Sequence, residues 1–295
     1  DAIDSGWISS LGQYVEKFEN NFSVFCNVAH SISTSNGTTA LHLCLEALNL
    51  QKNDEVIIPS LTFIATASAV VHSGATPVFV DVEPETFNID PNSLEKKVTS
   101  KTKAILPVHL FGQCADMDLI LDISTKHGLI VIEDAAQAFG SFFKNKPLGS
   151  FGDFSCFSFH ETKNIHCGEG GALLVNNKDF IERAEIIRQK GTNRKQFLKG
   201  IIDKYTWVEL GSSYLMNELS SAFLYGQLEN VFESTNYRLN LWNRYRDNLL
   251  KYSSVGNFTI PSIPDYNKHN AHIFYIKLEN LYQRNEMIEF LRLND

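Results

Sequence analysis

The sequence predicts an α/β protein built on a large, mostly parallel sheet, and three observations predict it. Apolar runs of strand length alternate with helical patterns of about ten residues between residues 54 and 133. The runs are continuous rather than alternating, as in Val56-Ile57-Ile58 and Val131-Ile132, which suits strands covered on both faces. Polar turns lead from these runs into helices, and in open α/β sheets the turns at the carboxyl ends of strands carry ligand sites. With 295 residues the chain has room for two domains. The expected division is a large domain over 1–236 and a smaller C-terminal α/β domain over 237–295, read as incomplete because an apolar helical pattern through Met287, Ile288, Phe290 and Leu291 runs up to Asp295 without a stop signal.

The first thirty residues read as helical and exposed, with Val15, Phe18 and Phe22 at helical spacing. A polar turn over 33–39 opens a helix that places Leu41, Cys44, Leu45 and Leu48 on one face. Strands follow over 54–59, 76–82, 103–108 and 129–133, separated by helices over 61–72, 91–98 and 117–127. After Gly149 the texture changes. A strand over 154–159 and a glycine turn and strand over 168–175 lack a helix between them, so part of the sheet departs from βαβ alternation. A helix over 180–189 precedes a polar, basic stretch over 190–207 that reads as a long functional loop. Residues 217–252 read as one long helix or two joined ones.

Net charge narrows the function classes. The chain carries 26 Lys and Arg against 34 Asp and Glu, a net charge of −8. With no basic excess, nucleic acid is not an expected partner, and an anionic ligand must be held by a local cluster. No apolar run approaches the roughly 18 residues of a membrane span. The five cysteines contain no CxxC spacing, so free thiols in a reducing cytoplasm are expected. Among the histidines, His109, His160, His166 and His272 have no carboxylate or cysteine at ligand spacing, so no metal site is expected. Packed structural roles are favoured for His109, His160 and His272, with cofactor or substrate contact the second reading for His160.

Three places carry chemistry. Glu133-Asp134 closes an apolar strand, where a carboxylate either caps the next helix or pairs with a cationic ring nitrogen. Lys163 lies just beyond the strand over 154–159 with Gly168, Gly170 and Gly171 beside it. It is either a solvated lysine or a desolvated one suited to forming a Schiff base. Ser35-Asn36-Gly37-Thr38-Thr39 is either an ordinary helix cap or an anion site of backbone N–H groups and hydroxyls. Together they make a phosphate cradle, a carboxylate for a ring nitrogen and a Schiff-base lysine, the parts a pyridoxal phosphate enzyme needs.

At this point the chain resembles the sugar-nucleotide aminotransferases, within the aspartate aminotransferase (type I) fold. The resemblance spans nearly the whole sequence. It is carried by SGWIS (5–9), TSNGTTAL (34–41), PSLTFIATA (59–67), PVHLFGQ (107–113), EDAAQAFGS (133–141), and SFHETKN with GEGG (158–171). It implies pyridoxal 5'-phosphate attached to Lys163, Asp134 on the ring nitrogen, Gln137 on the ring hydroxyl and Phe63 stacked on the ring. Ser158 and the backbone at Gly37 and Thr38 would hold the phosphate. It also implies a homodimer with shared active sites, in the cytoplasm. The motifs at 190–194, 203–207 and 211–216 resemble the branch that forms dTDP-4-amino-4,6-dideoxygalactose for cell-surface glycans, with L-glutamate as amino donor. Lys190, Asn193 and Arg194 would then hold the nucleotide diphosphate. Ser213 stands where many relatives have an asparagine that reaches the partner's cofactor phosphate.

Three other readings compete. A sugar dehydratase of the same fold carries histidine in place of the lysine, and Lys163 is present. A second is a different pyridoxal phosphate reaction, such as that of a lyase or an amino-acid transaminase, the latter usually offering an arginine for the substrate carboxylate in its small domain. A non-catalytic sensor needs an added partner module, and none is visible.

Overall fold

The structure, a computed structural model, describes residues 1–10, 12–253 and 255–294; of the residues read above as the chain's end, Asp295 lies outside them. The elements are α1 (Gln13–Cys26), β1 (Ser31–Thr34), α2 (Gly37–Ala47), β2 (Glu55–Pro59), α3 (Ile64–His72), β3 (Thr76–Val80), α4 (Pro91–Glu95), β4 (Thr102–Ile105), α5 (Met117–His127), β5 (Ile130–Asp134) and the short strands β6 (Phe142–Phe143) and β7 (Lys146–Pro147). Then come β8 (Phe154–Ser158), β9 (Gly171–Val175), α6 (Ile181–Arg188), α7 (Arg194–Leu198), α8 (Glu218–Leu228), α9 (Val231–Ser253), β10 (Phe258–Thr259), β11 (Asn267–Lys268), β12 (Lys277–Leu278) and α10 (Leu281–Leu293).

Seven strands form the main sheet in the order β1-β9-β8-β5-β4-β2-β3. All pairings among β3, β2, β4, β5 and β8 are parallel, while β9 runs antiparallel to both β8 and β1. The expected break in βαβ alternation after Gly149 is this one reversed strand. Successive residues of each strand face opposite sides of a sheet, and in the central strands both sides are buried. Ile57, Ile105, Val131 and Phe157 enter one core cluster, and their neighbours Ile58, Ala104, Ile132 and Cys156 enter the other. Two-sided burial explains why these strands read as unbroken apolar runs.

The reading of the N-terminus needs correction. It is not an exposed helix: α1 begins only at Gln13 and buries Val15, Phe18, Phe22 and Cys26. Phe18 and Phe22 pack edge-on to Phe159, with ring centroids 5.6 and 5.5 Å apart. The first turn of α1 is capped from α8. Glu218 accepts from the N–H groups of Tyr14 at 2.6 Å and Val15 at 3.1 Å, satisfying amides that a helix start leaves open. A Cβ on Gly12 would lie 2.2 Å from that carboxyl carbon, so the residue before α1 must be small.

Two further expectations shift. The basic stretch 190–207 is not all loop, since α7 forms within it. The pattern over 217–252 is two helices, α8 and α9. The expected domain boundary at 237 falls inside α9. Beyond it, β11 pairs antiparallel with β6 and returns the chain to the large sheet domain.

Glu133 fastens the centre of the fold. Its carboxylate is wholly buried and accepts from the N–H groups of Gly149, Phe151 and Gly152, each at 2.8 Å. It also meets Nε2 of buried His109 at 3.0 Å. Ala115 N–H donates to His109 Nδ1 at 3.2 Å, so the ring proton is on Nε2 and the histidine donates to Glu133. Burial alone would raise the Glu133 pKa, but His109 and the backbone donors of Gly152 and Gly149 outweigh it and hold the carboxyl below its ordinary value. A carboxyl lowered in this way stabilises the fold fully above the ordinary value of 4.5 and loses that contribution as the pH falls through the folded value. Glu133→Gln should therefore cost about 3 kcal/mol at neutral pH in urea denaturation, because buried donors lose their acceptor. The gap between variant and native chain should narrow steadily below pH 4.5.

Candidate active site

Four chain crossings meet at one end of the sheet. Six of the seven strands point the same way, so the exits of β1, β2, β5 and β8 lie together. Because β9 returns antiparallel, the link between β8 and β9 stays at that same end. These exits carry Gly37, Phe63, Asp134 and Lys163 respectively. They enclose a cavity of about 750 Å³.

The exit of β1 opens α2. Asn36 caps it, accepting from Thr39 N–H at 2.9 Å while its own N–H donates to Thr39 Oγ1 at 3.1 Å. The N–H groups of Gly37 and Thr38 have no acceptor among the described residues. They point out of the N-terminus of an 11-residue helix, where the helix dipole favours an anion. The loop is a helix cap, and the cap leaves two donors free. The approach of β8 is close. A Cβ on Gly37 would lie 2.7 Å from that of Ser158, and one on Gly171 would lie 2.3 Å from the Asn36 carbonyl carbon. Only glycine fits at either place, and the Ser158 hydroxyl is thereby set beside the free amides.

Asp134 ends β5 and is buried. Its Oδ2 accepts from Thr66 Oγ1 at 2.8 Å and its Oδ1 from Ala136 N–H at 3.2 Å. Burial raises its pKa, opposed by the Thr66 hydroxyl, the Ala136 amide and the positive charge of Lys163. The carboxylate is thus under-compensated and favours a cationic partner. Gln137 accepts from Phe111 N–H through Oε1 at 2.7 Å, which leaves Nε2 as a donor on the cavity wall. Phe63 is 67% exposed, a bare aromatic ring on the same wall.

Lys163 follows a tight turn in which its N–H donates to His160 carbonyl at 2.9 Å. Its Nζ has no hydrogen bond or ion pair among the described residues. Burial lowers its pKa, and nearby Asp134 only partly restores it, so the amine is shifted toward its neutral, nucleophilic form. The favoured reading of His160 as a packed structural histidine needs correction. His160 is partly exposed on the cavity wall, with Nδ1 3.0 Å from Thr162 Oγ1. His272 also reaches this wall, while His109 is the packed histidine expected of it.

Of the eight expected cofactor residues, Gly37, Thr38, Phe63, Asp134, Gln137, Ser158 and Lys163 line the cavity and Ser213 does not. Ser213 is exposed and bridges to Gln189. Lys190, Asn193 and Arg194 are absent from the wall as well. Asn193 instead accepts from Thr206 N–H at 2.7 Å and closes its own loop. Lys195, counted in the basic run, is tied to Glu185, which burial would raise but Arg188 holds far below the usual carboxylate range. Sequence reasoning missed Thr66, Asn164, Asn270 and the reach of His272. Thr66 lies in the first turn of α3, three residues after its N-cap Phe63, but nothing in the sequence pairs it with Asp134.

The donor set suits an aromatic, cationic ring carrying a phosphate. Free amides and a hydroxyl lie at one end, an under-compensated carboxylate and an amine lie deeper, and a bare phenyl ring lies alongside. Among the described residues no group of acids, histidines and cysteines is placed to hold a metal ion, and no helix is long and apolar enough to cross a membrane.

The chain is 40% identical over 279 residues to GDP-perosamine synthase of Caulobacter vibrioides, covering 94% of this chain and 72% of that protein. It is 36% identical over 278 residues to dTDP-3-amino-3,6-dideoxy-alpha-D-galactopyranose transaminase of Aneurinibacillus thermoaerophilus, covering 94% and 73%. Across four curated relatives it spans 66% to 76% of their length. Among solved structures, DesV of S. venezuelae superposes with a TM-score of 0.89 at 32% identity, over 98% of this chain and 74% of that one. The model of the DegT/DnrJ/EryC1/StrS aminotransferase family matches residues 1–295. The chain belongs to that aminotransferase family.

Proposed function

We propose that this chain moves an amino group from L-glutamate to a nucleotide-linked keto sugar, with pyridoxal phosphate held by the cavity residues described above. The observation that carries the reading is the joining of Lys163 and Asp134 in one cavity, an amine shifted toward neutrality beside a buried carboxylate in want of a cation. Pyridoxal phosphate, when bound, supplies an electron-accepting ring that stabilises negative charge at the carbon losing its proton.

The chain's own residues supply the rest. Gly37 and Thr38 N–H groups and the Ser158 hydroxyl would bind the phosphate. Asp134 would hold a proton on the ring nitrogen, and Thr66 orients that carboxylate. Gln137 Nε2 would donate to the ring hydroxyl, and Phe63 would cover one face of the ring. Lys163 would be the covalent attachment point and would serve as the general base and acid that moves the substrate's proton. The cavity would serve both amino donor and sugar in turn.

The finer assignment, conversion of dTDP-4-keto-6-deoxyglucose to dTDP-4-amino-4,6-dideoxygalactose for cell-surface glycans, is supported by the motifs over 190–216. The names of the relatives add two comparators, a GDP-linked sugar and amination at C3. In the proposed cytoplasmic homodimer, Lys190, Asn193, Arg194 and Ser213 reach the partner's cavity rather than their own. Their exposure or partial exposure outside the cavity supports that reading.

The deciding assay incubates the protein with pyridoxal phosphate, L-glutamate and dTDP-4-keto-6-deoxyglucose, and identifies the sugar product by mass and NMR. The GDP-linked counterpart serves as competitor. A C3 amine, or preference for the competitor, would overturn the finer assignment alone. Lys163→Ala should abolish turnover and the visible absorbance of lysine-bound cofactor; full activity in that variant would sink the reading. Asp134→Ala should lower kcat by about a thousandfold or more while cofactor phosphate binding persists, since it removes a charge interaction at the reacting ring. Arg194→Glu should raise the sugar-nucleotide KM about tenfold and spare the glutamate half-reaction, because it reverses a contact confined to the diphosphate. Equal damage to both halves would count against a diphosphate role.

A further inference from the structure

The lysine has no restraint of its own. Its four-carbon stem ends in an Nζ without a partner among the described residues, so its direction depends on how the backbone at 163 and 164 is held. The structure holds that backbone from a distant place in the sequence. Residues 269–273 cross the site, and His272 and Ile273 line the same cavity as Lys163.

This crossing segment is firmly set. Asn270 is wholly buried; its Nδ2 donates to the carbonyls of Gln137 at 2.8 Å and Phe139 at 2.9 Å, and its Oδ1 accepts from His272 N–H at 3.1 Å. Arg238 on α9 donates to the carbonyls of Ala271 at 3.3 Å and His272 at 2.9 Å, and Trp242 Nε1 donates to that of Ile273 at 3.2 Å. Ala271 has a φ of 54°, a left-handed conformation that a non-glycine residue keeps only when its surroundings impose it. Gly112 faces the segment, and a Cβ there would lie 1.9 Å from Asn270 Oδ1.

Asn164, next to the lysine, joins this segment twice. Its Nδ2 donates to the Asn270 carbonyl at 2.7 Å, which fixes the amide's orientation. The atom facing His272 Nδ1, 2.9 Å away, is then Oδ1. An amide oxygen only accepts, so His272 carries its proton on Nδ1 and its Nε2 is a bare acceptor. Burial, and the positive charges of Lys163 and Arg238, push His272 down to about 3, so the ring is uncharged at neutral pH.

We propose that Asn164 and His272 are positioning residues for Lys163: the Nδ1–H to Oδ1 bond anchors the residue after the lysine and sets the direction in which its side chain enters the cavity. The proposal rests on the reading of Lys163 as the lysine that captures pyridoxal phosphate. An uncharged ring suits the task, because an imidazolium would place a second cation against the lysine.

The two nitrogens of His272 can be separated by substitution. His272→Asn keeps an N–H near the Nδ1 position, whereas His272→Gln moves the amide to the Nε2 position and leaves Asn164 Oδ1 without its donor. The full chain is stripped of cofactor and mixed with pyridoxal phosphate, and the growth of lysine-bound visible absorbance is timed. Capture should slow roughly tenfold or more in His272→Gln and in Asn164→Ala, because a misdirected nucleophile loses the advantage of orientation. His272→Asn should stay within about twofold of the native rate, on the same reasoning. Native capture rates in His272→Gln, or an equal loss in His272→Asn, would overturn the proposal. Should His272→Gln not fold, Asn164→Ala reads the same bond from its other side. A native chain that never develops the absorbance would overturn the reading of Lys163 and this proposal with it, an outcome distinct from native capture with indifferent variants.

Discussion

A buried carboxylate needs donors on every side, and Glu133 finds four of them. Its position dictates much of the site. Satisfying it draws the loop at 149–152 and the loop of His109 to the carboxyl end of β5, so the next residue, Asp134, emerges between two fixed walls. The pair then divides two tasks by environment. Glu133 is over-supplied with donors and lies low; Asp134 is desolvated with fewer donors and lies high. Adjacent acids on one strand point to opposite faces, which is what lets one serve the fold while its neighbour faces the cavity.

The reversed strand β9 is the second constraint. A parallel neighbour for β8 would have needed a crossover to the far end of the sheet. The antiparallel return keeps the link from 159 to 170 at the end where Asp134 and the start of α2 already lie. Glycine at 37 and 171 then allows the contact between that link's strands and α2. The cavity is therefore a product of topology first and of side chains second.

Most of this was legible in the sequence, and the exceptions share a cause. Gly37, Thr38, Asp134, Ser158 and Lys163 sit in short motifs at strand exits, where spacing alone gives location. The central sheet strands were legible because both faces are buried. What could not be read is every partnership made across the chain. Thr66 meets Asp134 across 68 residues, and Asn164 meets His272 across 108. The first helix was misjudged for a related reason: Val15, Phe18 and Phe22 gave the right period, but its N-terminal cap comes from Glu218, 204 residues away at its Tyr14 bond. The basic stretch after Gln189 gave its charge correctly and concealed that Glu185 claims Lys195.

The position of Asn270 has a consequence for synthesis. A ribosome delivers the chain from the N-terminus, and its early segments can begin to fold as they emerge. The sheet strands, Asp134 and Lys163 are all made before residue 176. The segment that fastens Gln137, Phe139 and Asn164 arrives about a hundred residues later, with α9 made in between to grip it. The nascent chain therefore has its lysine long before that lysine is held, and the cavity is completed only once the segment around Asn270 has emerged.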